Sequence, residues 1–369
     1  MKRAAMKRAD CTGLRKGLRP EGLSYRVVAM ALVWVGMAGV CLGQAPREGS
    51  SGRAKTPHPA LVVLNKDASE LAIVDPETLK VVAKVPTGPV PHEVAVSEDG
   101  KIAVVTNYGA YQDGSSLSVI DLEQQKEIHS VPLTHVRDAR GNYSEYLLGP
   151  HGVQWYGGKF YFTAEAFKKI ARYDPASNQI DWIRVIGQER THMLVVARGG
   201  RAIYTSNVNS DTVTAVELGA DGRWTNTVIG VGKGPEGIDV SPDGKEVWAA
   251  NSGDGTVSII DTATKKVIET VNVKTKRSNR LKFTPNGKLV LISDLGAGDL
   301  VVLDAKTRKE VTRVHLGKSV EGILIQPGGW RAFVAVSGDD KVAVVDLKKL
   351  AVTATFETGK DPDGMAWGK

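Results

Sequence analysis

From Pro235 the chain reads PEGIDVSPDGKEVWAANSGDGTVSIIDTATKKVIETVNV, and its apolar side chains alternate with polar ones in four short runs. Alternation with a period of two, bounded by Gly, Pro, Asn and Asp, predicts strands with one buried face. The first run, GIDV, ends in Pro242-Asp243-Gly244, where proline presets φ and glycine accepts a positive φ, so the chain reverses. EVWAAN, TVSIID and KVIETVNV follow, each set off by turn residues, which gives four antiparallel strands.

The same cassette returns along the chain. It starts as PHEVAVSEDG at Pro91, PHGVQWYGG at Pro150, THMLVVARGG at Thr191, SNRLKFTPNG at Ser278 and VEGILIQPGG at Val320. Equivalent positions are His92, His151, His192, Glu236, Asn279, Glu321 and Asp363, spaced by 59, 41, 44, 43, 42 and 42 residues. The chain ends in DPDGMAWGK, a first strand with nothing after it, and the repeats open at Leu61 with strands two to four and nothing before them. Joined, these ends make one more unit. The expectation is an all-β, seven-bladed β-propeller of four-stranded antiparallel blades over residues 60–369, closed by pairing the C-terminal strand with the N-terminal three. Such closure removes the edges that an open fan would expose.

The phrases VVTN at 104, YTSN at 204 and VWAAN at 247, followed by SVID or SIID, resemble the YVTN-repeat family of seven-bladed propellers. The resemblance spans residues 60–369. It implies the propeller fold and little about activity, because members include surface-layer and periplasmic proteins of unknown role.

The formal net charge is +7, but residues 1–26 hold eight basic side chains against two acids, and the stretch after residue 45 is nearly neutral. A neutral body removes the electrostatic argument for a nucleic-acid partner. The basic start runs into the uncharged stretch 27–43, followed by Gly43, Gln44 and Ala45. Basic, apolar and small-residue segments in that order predict a signal peptide over 1–45, cut after Ala45, and an exported protein of the periplasm or cell surface. A retained anchor, or a lipid on Cys41, are the alternatives. Both cysteines, Cys11 and Cys41, fall in the removed part, so the mature protein would have no disulfide and no thiolate ligand. Residues 46–59 carry no apolar periodicity and read as a flexible linker, and no membrane contact is expected beyond the signal segment.

In a propeller the first strand of each blade lines the central channel, so the seven-membered column gathers at one mouth. Three imidazoles with carboxylates suit a divalent transition metal such as zinc, copper, manganese or iron, with His92, His151, His192 and Glu236 as ligands. Arg190 and Arg280 flank the column; they either hold an anionic ligand or pair with Glu236 and Glu321. A solvated polar rim is the plainer reading of the same residues. One loop, residues 134–149, lengthens the spacing, and Arg137, Arg140, Tyr143 and Tyr146 would form a lid beside His151. The recurring asparagines (Asn65, Asn107, Asn207, Asn251) and aspartates (Asp75, Asp121, Asp174, Asp261, Asp304, Asp346) read as turn-building residues.

No CxxCH, GxSxG or GxxxxGK[ST] motif occurs. Lack of a familiar catalytic set favours a scaffold that binds a small ligand, glycan or periplasmic or cell-surface protein at the channel mouth. The alternative is a metal-assisted lactonase or lyase that uses the His/Glu column. A role beside periplasmic redox enzymes rests only on the sharing of this repeat by some quinoprotein subunits.

Overall fold

The structure is a computed structural model that describes residues 54–109, 115–137 and 146–369. The signal segment and Arg140 and Tyr143 of the lid lie outside the described residues. Seven four-stranded antiparallel sheets form a ring, and we number the blades by their first strands. Blade 1 starts with Pro362–Gly368, blade 2 with Pro91–Val96, blade 3 with Pro150–Tyr156 and blade 4 with Thr191–Val196. Blades 5, 6 and 7 start with Pro235–Val240, Ser278–Phe283 and Val320–Ile325.

Blade 1 is the expected composite. Its first strand, from the C-terminus, pairs with Ala60–Asn65, setting Val62 opposite Ala366 and Leu61 opposite Trp367. Lys66 N–H donates to Asp361 O at 2.9 Å and Thr358 Oγ1 to Asn65 Oδ1 at 2.8 Å, so the Asn65 end of the seam is tied. Residues 54–59, within the stretch read as a linker, also touch the ring: Gln125 Nε2 donates to Ala54 O at 2.6 Å.

Seven apolar clusters fill the seven spaces between successive blades. Leu64, Ile73, Val105 and Ile120 join blades 1 and 2, for example, and Leu61, Val63, Phe333 and Val342 join blades 7 and 1. The second and third strands are therefore buried along their middles, while fourth strands such as Lys266–Asn272 are largely exposed at the rim. Each blade buries its faces only against its neighbours, which makes the ring interdependent.

The turns explain the recurring Asn and Asp. Asp261 Oδ1 accepts from Thr264 N–H at 2.7 Å and Asp304 Oδ1 from Thr307 N–H at 2.7 Å. Asn251 Nδ2 donates to Thr256 Oγ1 at 2.8 Å and Ser258 Oγ at 3.0 Å. These side chains satisfy polar groups inside their own blades and stand apart from the channel chemistry.

Candidate functional site

The first strand of every blade shifts register against the second just where the polar column sits. In blade 4, Thr191 faces Asn207 while Leu194 faces Thr205; in blade 3, Pro150 faces Ala164 while Val153 faces Phe162. One extra residue on the first strand is a β-bulge, which bends the strand and re-aims its side chains. The bulge turns the column residue toward the channel, and in blades 2 and 6 its successor (Glu93, Arg280) enters the channel site as well.

A bulge frees a backbone N–H, and hydroxyls on the second strand take it up. Thr163 Oγ1 accepts from Gly152 N–H at 2.9 Å and donates to His192 O of the next blade at 2.7 Å. Ser206 accepts from Met193 N–H at 3.2 Å and donates to Glu236 O at 2.7 Å, while Thr106 Oγ1 donates to His151 O at 2.5 Å. Three hydroxyls thus fix the backbone of His151, His192 and Glu236 from the preceding blade. At Gly152 a Cβ would stand 2.9 Å from Met193 Cα, so glycine is needed where these blades approach.

All nine residues expected at the mouth, His92, His151, Arg190, His192, Glu236, Asn279, Arg280, Glu321 and Asp363, line one cavity of about 260 Å³. Lys66, Arg277 and Leu295 complete its wall. The three imidazoles form a continuous row, with ring centroids 4.7 Å apart for His92 and His151 and 3.8 Å for His151 and His192.

Two carboxylates flank His192: Nδ1 is hydrogen-bonded to Glu165, and Nε2 faces Glu236 Oε1 at 3.5 Å, too long for a full bond. Burial alone would favour neutral His192, but the two carboxylates raise its pKa above the ordinary value. Burial pushes the Glu236 carboxyl up, yet His192 and then Arg280 bring it down to about 2. His151 moves the other way: burial, reinforced by His192, His92 and the arginines, holds it neutral. Its Nδ1 has no hydrogen-bond partner among the described residues. Burial and then the charge of Glu165 push the Tyr108 hydroxyl up to about 12, so it stays a donor, bonded to Glu165 Oε2 at 2.9 Å.

The arginine partners differ from those expected. Arg280 crosses the channel to Glu93, donating from Nε at 2.8 Å, and its Nη2 lies 3.7 Å from Asp363 Oδ1. Arg190 Nε lies 3.6 Å from Glu165 Oε2. Neither guanidinium is paired with Glu236 or Glu321: the bulged strand aims Arg280 across the ring to Glu93, and Arg190, which precedes its strand, turns to Glu165. Glu321 is bonded instead to Lys66 at 2.6 Å.

Asp363 is buried among Lys66, His92, Arg280, Glu321 and Asp361. Burial would raise its pKa, but Lys66, His92 and Arg280 hold it well below the ordinary carboxylate range. A depressed carboxyl contributes stability above its unfolded value, and that contribution fades as pH falls toward the folded value. The difference in melting temperature between wild type and Asp363→Asn should therefore be largest near pH 7 and shrink below about pH 4. Thermal melts across pH test this; a difference that grows on acidification would contradict the assignment.

Glu165, Tyr108 and Lys66 escaped the column because they occupy a different one. Each follows directly on the second strand of its blade, after Ala164, Asn107 and Asn65. The equivalent residues elsewhere are Val208, Ser252, Leu295 and Ser337, two aliphatic side chains and two hydroxyls that give the column no single chemistry. At the long loop, Glu165 N–H donates to Gly149 O at 3.0 Å and Tyr146 stacks on Phe167 at 5.6 Å. The described end of that loop therefore packs beside Glu165, while Arg137 is exposed.

Residues 188–366 match the YNCE-like beta-propeller family. No curated protein matches the sequence. A chain of Kuenenia stuttgartiensis hydrazine synthase is similar at 19% identity and a TM-score of 0.66, with 81% of this chain and 98% of that one covered. The periplasmic gluconolactonase of Pseudomonas aeruginosa is similar at 14% identity and a TM-score of 0.66, covering 84% and 99%. A functionally unknown protein from Desulfotomaculum acetoxidans gives 14% identity and a TM-score of 0.69, covering 84% and 98%. At these identities the likeness is one of fold, and by that fold the chain is a seven-bladed β-propeller protein.

Proposed function

We propose that this chain is an exported propeller of the YVTN-repeat kind whose channel mouth binds a small, polyhydroxylated acid. Export is supported by the basic, apolar and small-residue order of residues 1–45. One observation carries the binding reading: seven blades converge their polar column on one cavity of about 260 Å³, and the Arg280–Glu93 pair bridges the channel at it. Lys66, Arg190 and Arg277 supply cations on its wall, and Asn279 with the carboxylates supplies hydrogen-bond partners for hydroxyls. The likeness of fold to a gluconolactonase suggests gluconate as the first probe. Calorimetry should detect gluconate binding that weakens about tenfold, or about 1.4 kcal/mol, in Arg190→Ala, whose side chain is 43% exposed. Absence of binding by gluconate would remove this ligand class.

A second reading, lactone opening, is favoured by the pairing of His92 Nδ1 with Asp363 Oδ2 at 3.3 Å. An acid that orients Nδ1–H leaves Nε2 as a general base. Water would add to the lactone carbonyl as its proton passes to His92; the ring C–O bond then breaks and the departing oxygen takes that proton. Ring opening of glucono-1,5-lactone faster than in buffer, lost in His92→Ala with gluconate binding retained, would support it. A rate equal to buffer leaves binding alone.

A further inference from the structure

The densest group of metal-ligating atoms in the mouth differs from the set read in the sequence. His151, Glu165 and His192 each place one ligand atom within 4.8 Å of the other two, and all three residues are buried. Two belong to blade 3 and one to blade 4, so the group sits on a single blade interface. We propose that these three residues form a mononuclear site for a divalent first-row transition cation, best matched by zinc, with its remaining position open to a water or a ligand oxygen. The proposal deepens the binding reading by naming the anchor at the mouth.

Four observations carry it. The donor set is two imidazoles and one carboxylate, which is the three-ligand pattern of zinc sites that keep an open position. His151 Nδ1 is buried and lacks a hydrogen-bond partner among the described residues, while His192 Nε2 is buried with Glu236 Oε1 facing it at 3.5 Å. A buried nitrogen without a partner destabilises the fold, and offering the lone pair of His151 Nδ1 to a cation removes that cost. The groups behind the ligands are already in place: Tyr108 donates to Glu165 Oε2 at 2.9 Å, while Thr106 and Thr163 hold the backbone carbonyls of His151 and His192. Such outer partners fix the orientation of ligands in metal sites. His92 stands next in the row, its ring 4.7 Å from that of His151, on the side where a metal-bound ligand would meet Asp363 and Lys66. Glu236 reaches the group only through His192.

The test is titration of untagged, chelator-stripped protein with zinc chloride by calorimetry, with elemental analysis for stoichiometry. One zinc per chain is expected. Glu165→Gln and His151→Ala should weaken binding at least tenfold each, and Tyr108→Phe by about 10–100-fold, the range for outer partners. Cobalt(II) should give a visible absorption band that changes in Glu165→Gln. His315→Ala, an exposed histidine whose Nδ1 pairs with Asp299, should leave the affinity unchanged. Apo-protein melts identify any variant that fails to fold, and Glu165→Gln preserves shape for that reason. Failure to take up zinc overturns the proposal, as does an affinity unmoved in both Glu165→Gln and His151→Ala. Gluconate titrated into both the stripped and the zinc-loaded protein separates the two readings: gluconate binding without zinc uptake sinks the metal site alone, whereas zinc uptake with no gluconate binding to the loaded protein sinks the acid ligand alone.

Discussion

A chain ending at Lys360 should lose cooperative folding altogether, although only nine residues are missing. Those residues include the strand Pro362–Gly368, the innermost of blade 1, so its loss uncovers the edge of Ala60–Asn65, every residue of which is buried. Leu61, Val62, Val63 and Leu64 are each fully buried, and each fully buried side chain of this kind contributes about 1.5–3 kcal/mol. Even partial exposure of these four, with loss of the Met365 and Trp367 contacts to Phe333, consumes a large share of a typical 5–15 kcal/mol total. The break also opens the ring, since blade 1 no longer holds its channel-side contact with blades 7 and 2. Circular dichroism melts and binding of a hydrophobic dye measure the outcome. A sharp thermal transition close to that of the full chain would show that the ring does not depend on its seam; recovery on adding a synthetic 361–369 peptide would confirm that it does.

The same seam shows what the sequence discloses and what it withholds. Blade count and closure were legible because strands two and three are buried on both faces and rich in apolar residues, and the polar column recurs at nearly constant spacing. Column membership was legible for the same reason, and all nine expected residues meet in one cavity. Their pairing was not. A bulge adds no composition signal, so nothing in the letters tells that Glu93 and Arg280 both turn inward and meet across the ring. Glu165 was hidden differently. Its column mixes Lys66, Tyr108, Val208, Ser252, Leu295 and Ser337, and only the place directly after the second strand unites them. A search by position rather than residue type would have found it, because any side chain there sits beside the start of a first strand.

Arg280→Ala should be the most damaging single substitution at the mouth. The guanidinium is 4% exposed and faces Glu93 at 2.8 Å, Asn279 Oδ1 at 3.0 Å and Asp363 at 3.7 Å. Burial disfavours its charge, but Glu93, Asp363, Glu236 and Glu321 together raise its pKa above the ordinary value. Removing the cation leaves Glu93 and Asp363 as like charges with little exposure, and breaking a buried pair in this way costs about 3–5 kcal/mol. Arg280→Lys should recover only part of that, since an ammonium cannot reproduce the planar fork that serves Glu93 and Asn279 together. Arg280→Met combined with Glu93→Gln removes both charges and should regain most of the lost stability, because Asp363 keeps Lys66 and His92 as partners. Chemical denaturation of the four proteins separates the cases. A loss below about 1 kcal/mol in Arg280→Ala would place the pair among weak, solvent-screened bridges. A double variant no better than Arg280→Ala would locate the cost in lost packing instead of uncompensated charge.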